Sequence, residues 1–384
     1  MMKILLISLI SAAFASGAVK IRGTPPAPFS DFTRNEFFKP AADAQLWGTL
    51  YARSLQLPDE SLLMTWENYP AESPQNLVNH PVFRSTDGGA TWSNYSAVKD
   101  TQNGWGMRFQ PFLYRLPTEF GGFPTGTILA AGVSTPESLE GGVWIEIYAS
   151  TDNAKTWKFV SHIAYGDGPN TITNGNKALW EPFILMYDGQ LVCYYSDQRD
   201  PKHAQKLVHT TTRDLRKWTP IVEDEADENY EGRPGMTTVA HIESTNKWIM
   251  TYERCGTDGC KVYYKTAESP LSFKDSVGQR LQATDGSTFT NGPYVTWVRN
   301  PYRTDGSGII IVSTTSSENL LIQGDQPANG QWKKVNINHW SAYSRSVREI
   351  DIKGQKKLLI GNGGNFGPIQ NNGVACAVVP IPRL

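Results

Sequence analysis

An eight-residue motif recurs at nearly constant intervals along the chain, and this repeat limits the possible folds more than any other feature of the sequence. The stretch 85–92 (STDGGATW) reappears as 150–157 (STDNAKTW). Weaker copies follow, and the aromatic ends of all five fall at positions 92, 157, 218, 273 and 332, which are 65, 61, 55 and 59 residues apart. Such a period is typical of arrays in which each repeat is one supersecondary unit.

Each interval contains the same series of β-prone runs, and no stretch has a capped, 3.6-periodic pattern of helical length. First strands are predicted at 50–56, 109–116, 182–187, 236–242, 294–298 and 345–350, and second strands at 62–67, 127–133, 191–196, 248–253, 308–313 and 357–361. Six such units predict an all-β fold, a six-bladed β-propeller of four-stranded antiparallel blades. A sixth step would pass Leu384, so residues before about position 45 are expected to complete the last blade and close the ring. A long β-sandwich or β-helix does not explain the period.

The repeated motif resembles the Asp-box of sialidase-like propellers. In such a turn the aspartate accepts backbone N–H bonds, glycine or asparagine adopts a positive φ, and the tryptophan packs between blades. Asp87 and Asp152 are therefore predicted to be structural rather than catalytic. Equivalent blade positions are expected for Trp92, Trp157, Trp218 and Trp332.

Residues 1–18 have the pattern of a secretory signal peptide, with Lys3, an apolar run and small residues up to Ala18. We therefore predict a secreted, extracellular protein in which residues 19–384 form a single propeller catalytic domain. No other segment approaches the roughly 18 apolar residues of a membrane-spanning helix. The 36 basic and 37 acidic residues nearly cancel, which argues against nucleic acid or an acidic membrane as a partner. We expect a monomer.

The four cysteines fit an oxidising compartment without making a disulfide scaffold. Cys255 and Cys260 enclose a Gly- and Asp-containing hairpin tip, whose ends could carry a disulfide. No second Cys or His pair accompanies them at zinc-ligand spacing. Cys193 and Cys376 lie in apolar runs and are predicted to be free core thiols. Asn94 begins the only N-glycosylation sequon, and its occupancy is left open.

One face of the predicted propeller collects carboxylates, arginines and aromatic residues. In each blade the start of the first strand and the end of the second lie together on that face, because the two strands are antiparallel. A pair of carboxylates beside aromatic platforms is what glycosidic cleavage needs, since one acid protonates the leaving oxygen while the other attacks or activates water. A single acid there could equally pair with a neighbouring arginine, but two glutamates from adjacent blades favour catalysis. The residues predicted to bind substrate are Trp66, Glu67, Arg108, Trp180, Asp197, Arg199, Arg233, Asn291, Tyr343 and Arg345.

Four blocks on this face resemble the fungal exo-α-1,5-L-arabinanases of glycoside hydrolase family 93. They are 179–183 (LWEPF), 194–201 (YYSDQRDP), 231–236 (EGRPGM) and 250–256 (MTYERCG), and the resemblance extends over essentially the whole chain after the signal peptide. It implies removal of arabinobiose from the non-reducing end of linear arabinan with retention of configuration. It also implies Glu181 and Glu253 as the catalytic pair, and the chemistry requires no metal or cofactor.

Retention implies a covalent intermediate and two carboxyls about 5 to 5.5 Å apart. We predict Glu253 as the nucleophile, kept ionised by Arg233 and Arg254, and Glu181 as the acid with a raised pKa. Because neighbours along a strand point to opposite faces, the two roles could be exchanged. Whether the enzyme releases one sugar or two is left open. It would depend on how far the loops 68–79 and 166–177 block the mouth of the central channel of the propeller, on the face that carries the two glutamates.

Two alternative functions remain. A sialidase would need a three-arginine clamp on the substrate carboxylate, which Arg108, Arg233 and Arg345 could supply, together with a tyrosine nucleophile. A non-catalytic sugar-binding propeller would have aromatic pockets in every blade. The concentration of acids in a few blades favours the hydrolase.

Overall fold

The computed structural model describes residues 24–73 and 75–384, and its strands form six four-stranded antiparallel blades. Blade 1 contains β2 (Thr49–Gln56), β3 (Leu62–Asn68), β4 (His80–Ser85) and β5 (Ser93–Val98), and blade 2 contains β6 (Met107–Arg115), β7 (Ile128–Ser134), β8 (Val143–Ser150) and β9 (Lys158–Gly166). Blade 3 contains β10 (Leu179–Tyr187), β11 (Gln190–Asp197), β12 (Lys206–Thr212) and β13 (Val222–Ala226), and blade 4 contains β14 (Arg233–Ile242), β15 (Lys247–Cys255), β16 (Lys261–Ala267) and β17 (Gln279–Arg280). Blade 5 contains β18 (Tyr294–Arg299), β19 (Gly308–Ser313), β20 (Leu320–Gln323) and β21 (Lys333–Val335), and blade 6 contains β22 (Ser346–Ile352), β23 (Gln355–Asn362), β24 (Val374–Pro380) and β1 (Phe32–Phe38). Two short 3₁₀ turns lie at Phe273–Asp275 and Ile369–Asn371.

The sixth blade joins the two ends of the propeller. β1 is its outermost strand and pairs antiparallel with β24, with Phe32 opposite Val378 and Phe38 opposite Val374. This pairing closes the ring and covers the edge that the last repeat would otherwise expose. The predictions of six blades and of closure by residues before position 45 are both confirmed.

Two of the innermost strands begin three residues earlier than the sequence pattern predicts. β10 starts at Leu179 rather than Pro182, and β14 starts at Arg233 rather than Met236. In both strands the register with the neighbouring strand shifts at a β-bulge, where Glu181 (φ 62°) and Met236 (φ 64°) adopt the left-handed conformation. Side chains with a positive φ are uncommon outside glycine, so strand propensity gives no sign of such a bulge.

The repeated turns are held by their aspartates, as predicted. The Asp87 carboxylate accepts hydrogen bonds from the Thr91 N–H (2.9 Å) and the Ser85 hydroxyl (2.8 Å). In the next blade the Asp152 carboxylate accepts the equivalent pair from Thr156 and Ser150. Both aspartates therefore stabilise their own turns.

The tryptophans that end these turns connect neighbouring blades. The Trp157 indole N–H donates to the Ser96 hydroxyl on the fourth strand of blade 1 (3.1 Å), and the Trp218 indole donates to Ser161 on the fourth strand of blade 2 (3.1 Å). The Trp92 ring likewise stacks on Phe37 of the outermost strand of blade 6 (4.9 Å), although its indole donates to the Gly89 carbonyl of its own turn. Trp332 is fully buried in the core between blades 4 and 5.

Cys255 and Cys260 form a disulfide, which the sequence left open, and Cys193 and Cys376 are free and buried as predicted. The predicted signal peptide, residues 1–18, lies outside the described residues. Among the residues that are described, no helix is long and apolar enough to cross a membrane.

Candidate active site

Glu181 occupies the bulge at the start of blade 3, and it is only 8% exposed. One of its oxygens, Oε2, accepts hydrogen bonds from the Ser196 hydroxyl (2.5 Å) and from the Met236 backbone N–H (2.9 Å). The other oxygen, Oε1, accepts no hydrogen bond from any described residue. The side chain is therefore fixed on one side and has one oxygen left for a ligand.

Glu253 lies near the end of β15 in blade 4 and is also 8% exposed. Its Oε2 accepts a hydrogen bond from the Gly292 backbone N–H (2.7 Å). Its Oε1 lies 3.4 Å from the sulfur of Cys255. Because that sulfur is joined to Cys260, it has no proton to donate and offers no thiolate to a metal. Glu253 thus has one hydrogen-bond donor, whereas Glu181 has two.

Gly235 is a neighbour of both acids. Gly235 and Glu253 are directly opposite in the antiparallel pair of β14 and β15, so their side-chain positions share one face. A Cβ added at Gly235 would lie 3.7 Å from Glu181 Oε2. The absence of a side chain at this position therefore leaves open the space beside Glu181 Oε2.

Burial and mutual repulsion keep protons on these acids. Burial raises the pKa of Glu181, against the opposing effects of its hydrogen bonds and of Arg233 and Arg53. Burial and the nearby Glu181 charge raise the pKa of Glu253 to about 8. Two buried carboxyls close together favour a state with one proton, which is the state that acid-assisted glycoside cleavage uses.

Arg53 is a buried cation at this site that the sequence analysis missed. Its side chain is 2% exposed, its guanidinium lies 3.8 Å from the ring centroid of Tyr51, and it donates to the carbonyl (2.8 Å) and hydroxyl (2.7 Å) of Ser344. Its charge lowers the pKa of Glu181. One signal was present, because an arginine interrupts the otherwise buried and mostly uncharged strand β2 (TLYARSLQ).

Glu67 adds a third buried carboxyl to the same mouth. It is 2% exposed, and burial raises its pKa to about 7. It accepts hydrogen bonds from the Tyr69 hydroxyl and from the Gln110 N–H (2.9 Å). Gln110 in turn accepts from the Glu181 N–H (3.4 Å). Side chains of one blade thereby cap the bulge amides of the next.

Several predicted substrate-binding residues surround the acids. The Tyr343 hydroxyl lies 3.4 Å from the sulfur of Met236, and burial together with both glutamates raises the pKa of Tyr343. Arg233 donates to Asn174 (2.9 Å) and Gln205 (2.8 Å) and its charge lowers the pKa of both glutamates. Asn291 immediately precedes Gly292, the donor to Glu253, whereas the Trp180 ring packs in the core against Phe109 (5.6 Å).

Other predicted residues are already engaged within the protein. Asp197 and Arg199 form a two-point ion pair (2.9 and 2.7 Å). Arg108 pairs with Glu72 (2.7 Å), and both side chains are almost completely buried. The predicted substrate contact is wrong for Trp66, which has no exposed surface and packs against Phe38 and Phe83 in the core. Strand alternation points it away from the face that Glu67 occupies.

Arg345 has no exposed surface either, and its guanidinium donates to backbone carbonyls of Glu318, Trp340 and neighbouring residues. With Arg108 paired to Glu72, only Arg233 of the three candidate arginines lies beside the acids. The three-arginine clamp that a sialidase would need is therefore not assembled.

Stability should fall as the pH rises from about 5 to 8. Glu67 and Glu253 have folded pKa values near 7 and 8, above the usual value near 4.5, so the unfolded chain loses these protons first and the folded state is disfavoured as pH increases. Tm measured across this range should decline by several degrees. Glu253→Gln should reduce the decline and have the higher Tm at pH 8, and an unchanged decline in that variant would contradict the assignment.

Comparisons with known proteins identify solved structures that share this fold. A scan against protein-family models and a search of curated proteins each find no match. Among solved structures, an α-L-arabinanase of Penicillium chrysogenum complexed with arabinobiose is 38% identical, with 91% of this chain and 98% of that chain covered and a TM-score of 0.84. An α-L-arabinofuranosidase of family GH93 from Fusarium graminearum, also with arabinobiose, is 39% identical with the same coverage and TM-score. A sialidase of Streptococcus pneumoniae is only 9% identical, covers 91% of this chain and 71% of its own, and shares the fold alone (TM-score 0.56).

A six-bladed propeller with two buried glutamates at one mouth, in a chain so similar to these enzymes, is a propeller glycoside hydrolase. The chain belongs to glycoside hydrolase family 93.

Proposed function

We propose that this protein is a secreted, exo-acting, retaining hydrolase that releases arabinobiose from the non-reducing end of linear α-1,5-L-arabinan. The observation that carries the proposal is the pair of buried acids, Glu181 and Glu253, which both neighbour Gly235 and of which the charge of one raises the pKa of the other. The arabinobiose bound to two relatives supports the substrate class. The disulfide between Cys255 and Cys260 supports secretion, since such bonds persist in oxidising compartments.

The hydrogen bonds favour Glu181 as the nucleophile and Glu253 as the acid, the reverse of the sequence-based assignment. Two donors to Glu181 Oε2 and the charge of Arg53 oppose the rise that burial causes in the pKa of Glu181, and so favour its ionised form. Glu253 has a single donor and a pKa raised to about 8, so it holds the shared proton at neutral pH.

Cleavage then proceeds in two steps. In the first, Glu181 Oε1 attacks the anomeric carbon while Glu253 protonates the departing O5 of the next arabinose, which takes the electrons of the broken bond. In the second, ionised Glu253 removes a proton from water as the water attacks the same carbon and releases Glu181. Two inversions give net retention.

A rigid segment at the same mouth supports an exo mode of action. In the segment 68–73, Tyr69 donates a hydrogen bond to Glu67, and Glu72 forms a buried ion pair with Arg108 (2.7 Å). We propose that this rigid segment stops the non-reducing end of the chain two sugars beyond the acids.

The test is a product assay on linear α-1,5-arabinan. Arabinobiose should be the main product from the first minutes, the new anomeric centre should have the α-configuration by NMR, and turnover of a sialoside should be lower by at least about 10³-fold because no arginine clamp is assembled. A ladder of longer oligosaccharides would contradict the exo mode, and an initial β-product would contradict retention.

A further inference from the structure

A cleft of about 760 Å³ opens between blades 5 and 6, separate from the two acids. Its walls include Glu318, Trp340 and the segment 362–373. Glu318 follows the second strand of blade 5, and residues 362–373 follow the second strand of blade 6. The cleft therefore lies on the same face of the propeller as Glu253, which lies near the end of the second strand of blade 4.

Buried polar side chains hold both walls of the cleft in place. Arg345, with no exposed surface, donates to the carbonyls of Trp340 (2.9 Å) and Glu318 (3.1 Å) and so joins two loops of one wall. On the other side Asn372, 4% exposed, donates to the carbonyls of Trp47 (2.8 Å) and Asn365 (2.6 Å). A site whose walls are fixed in advance binds a ligand with less loss of conformational entropy.

Aromatic contacts connect the cleft to the acids. Phe366, on the cleft wall, has its ring 4.4 Å from that of Tyr343. The Tyr343 hydroxyl touches the sulfur of Met236, whose backbone N–H donates to Glu181. A chain leaving the acids past Tyr343 thus meets Phe366 next and the cleft after it.

The chemistry of the lining suits a neutral sugar. Its charges are paired within the protein, Lys39 with Glu36 (2.8 Å) and Arg34 with Glu318 (3.8 Å), so neither sign is left in excess. Trp340 is 38% exposed and Phe366 53%, which provides flat apolar surfaces for furanose rings. The exposed amides of Gln370 and Asn371 at the rim can hydrogen bond to hydroxyl groups.

We propose that this cleft binds the part of the arabinan chain that lies beyond the scissile bond, several sugars from the acids, and thereby holds the polymer between successive cleavages. The proposal rests on the proposed function and adds a second binding region to it. An acidic polysaccharide is disfavoured as occupant because the lining holds as many carboxylates as cations.

A series of substrates of increasing length tests the proposal. With linear arabino-oligosaccharides from three to eight sugars, kcat/KM of the wild type should rise with length. Trp340→Ala should remove that rise, with a loss of about tenfold on the longest chain, as expected for one stacking contact. Tyr302→Ala is the matched control, since Tyr302 is exposed to a similar degree (45%) in the loop after β18, on the opposite face. It should retain the rise.

Phe366→Leu serves as a second variant if Trp340→Ala does not fold. It should also remove the rise of kcat/KM with substrate length. Polygalacturonate, an acidic polysaccharide, should not inhibit hydrolysis when its mass equals that of the arabino-oligosaccharide. The proposed role of the cleft would be wrong if kcat/KM of the wild type did not rise with substrate length, or if the rise persisted in both variants. Either result would leave the proposed arabinan hydrolysis unaffected. Inhibition by polygalacturonate would overturn the preference of the cleft for neutral chains. If the wild type hydrolysed none of these oligosaccharides, the proposed function itself would be wrong.

Discussion

Replacing either Glu181 or Glu253 by glutamine is expected to reduce kcat on arabinan by at least about 10³-fold, and the double variant should lose little more, because both carboxyls act in the same transition states. Glutamine keeps the size of the side chain and can still accept the bonds from Met236 or Gly292. The fold should therefore survive, which circular dichroism and Tm would check. Near wild-type activity in either variant would remove that residue from the mechanism.

Azide and an activated aryl arabinoside separate the two roles. Such a leaving group needs little protonation, so Glu253→Gln should still form the covalent intermediate, which azide then attacks to give a glycosyl azide of retained configuration. Glu181→Gln lacks the nucleophile, so azide can only displace the leaving group directly, with inversion. The opposite pattern would identify Glu253 as the nucleophile and Glu181 as the acid.

Gly235→Ala is expected to lower kcat by about 10²-fold with little change in stability, because a methyl group beside Glu181 Oε2 displaces the reacting carbon by about 1 Å. The new Cβ would lie 2.9 Å from Gln205 Nε2, 3.6 Å from Ser196 Oγ and 3.7 Å from Glu181 Oε2. The closest of these is the end of a side chain, which can shift. The backbone at Gly235 does not have a positive φ, so alanine itself adds no strain there.

Gly324→Ala is the matched control for this prediction. A Cβ at Gly324 would contact only the end of the Leu384 side chain, at 3.9 Å. That variant should keep both kcat and Tm. If Gly235→Ala retained full kcat, the reacting sugar could not occupy the space above Gly235, and the position assigned to the substrate would be wrong.

The cleft between blades 5 and 6 changes the role that the sequence predicted for Arg345. Arg345 was expected to contact substrate, yet its guanidinium is directed to backbone carbonyls of two loops. Its effect on substrate would be indirect, through the position of Trp340. A buried arginine that satisfies several carbonyls is costly to remove, because those carbonyls would lose their partners.

The sequence by itself determined the architecture and the face on which the site lies. The 55- to 65-residue period, the strand pattern and the positions of Asp87 and Asp152 depend on local interactions and on hydrophobic alternation, which can be read along the chain. The same pattern predicted that β1 would close the sixth blade. It also brought Glu181 and Glu253 to one mouth, since strand direction alone decides which ends of the strands meet.

Only the tertiary structure decided how the side chains at that mouth are used. The bulge at Glu181, the burial of Trp66 and the engagement of Arg108 with Glu72 depend on contacts between residues that are distant in sequence or on a backbone conformation that propensity does not encode. The same holds for Arg53, which lowers the pKa of Glu181 from a different blade. The protonation of each acid follows from its burial and its donors, and these exist only once the blades have packed around the channel.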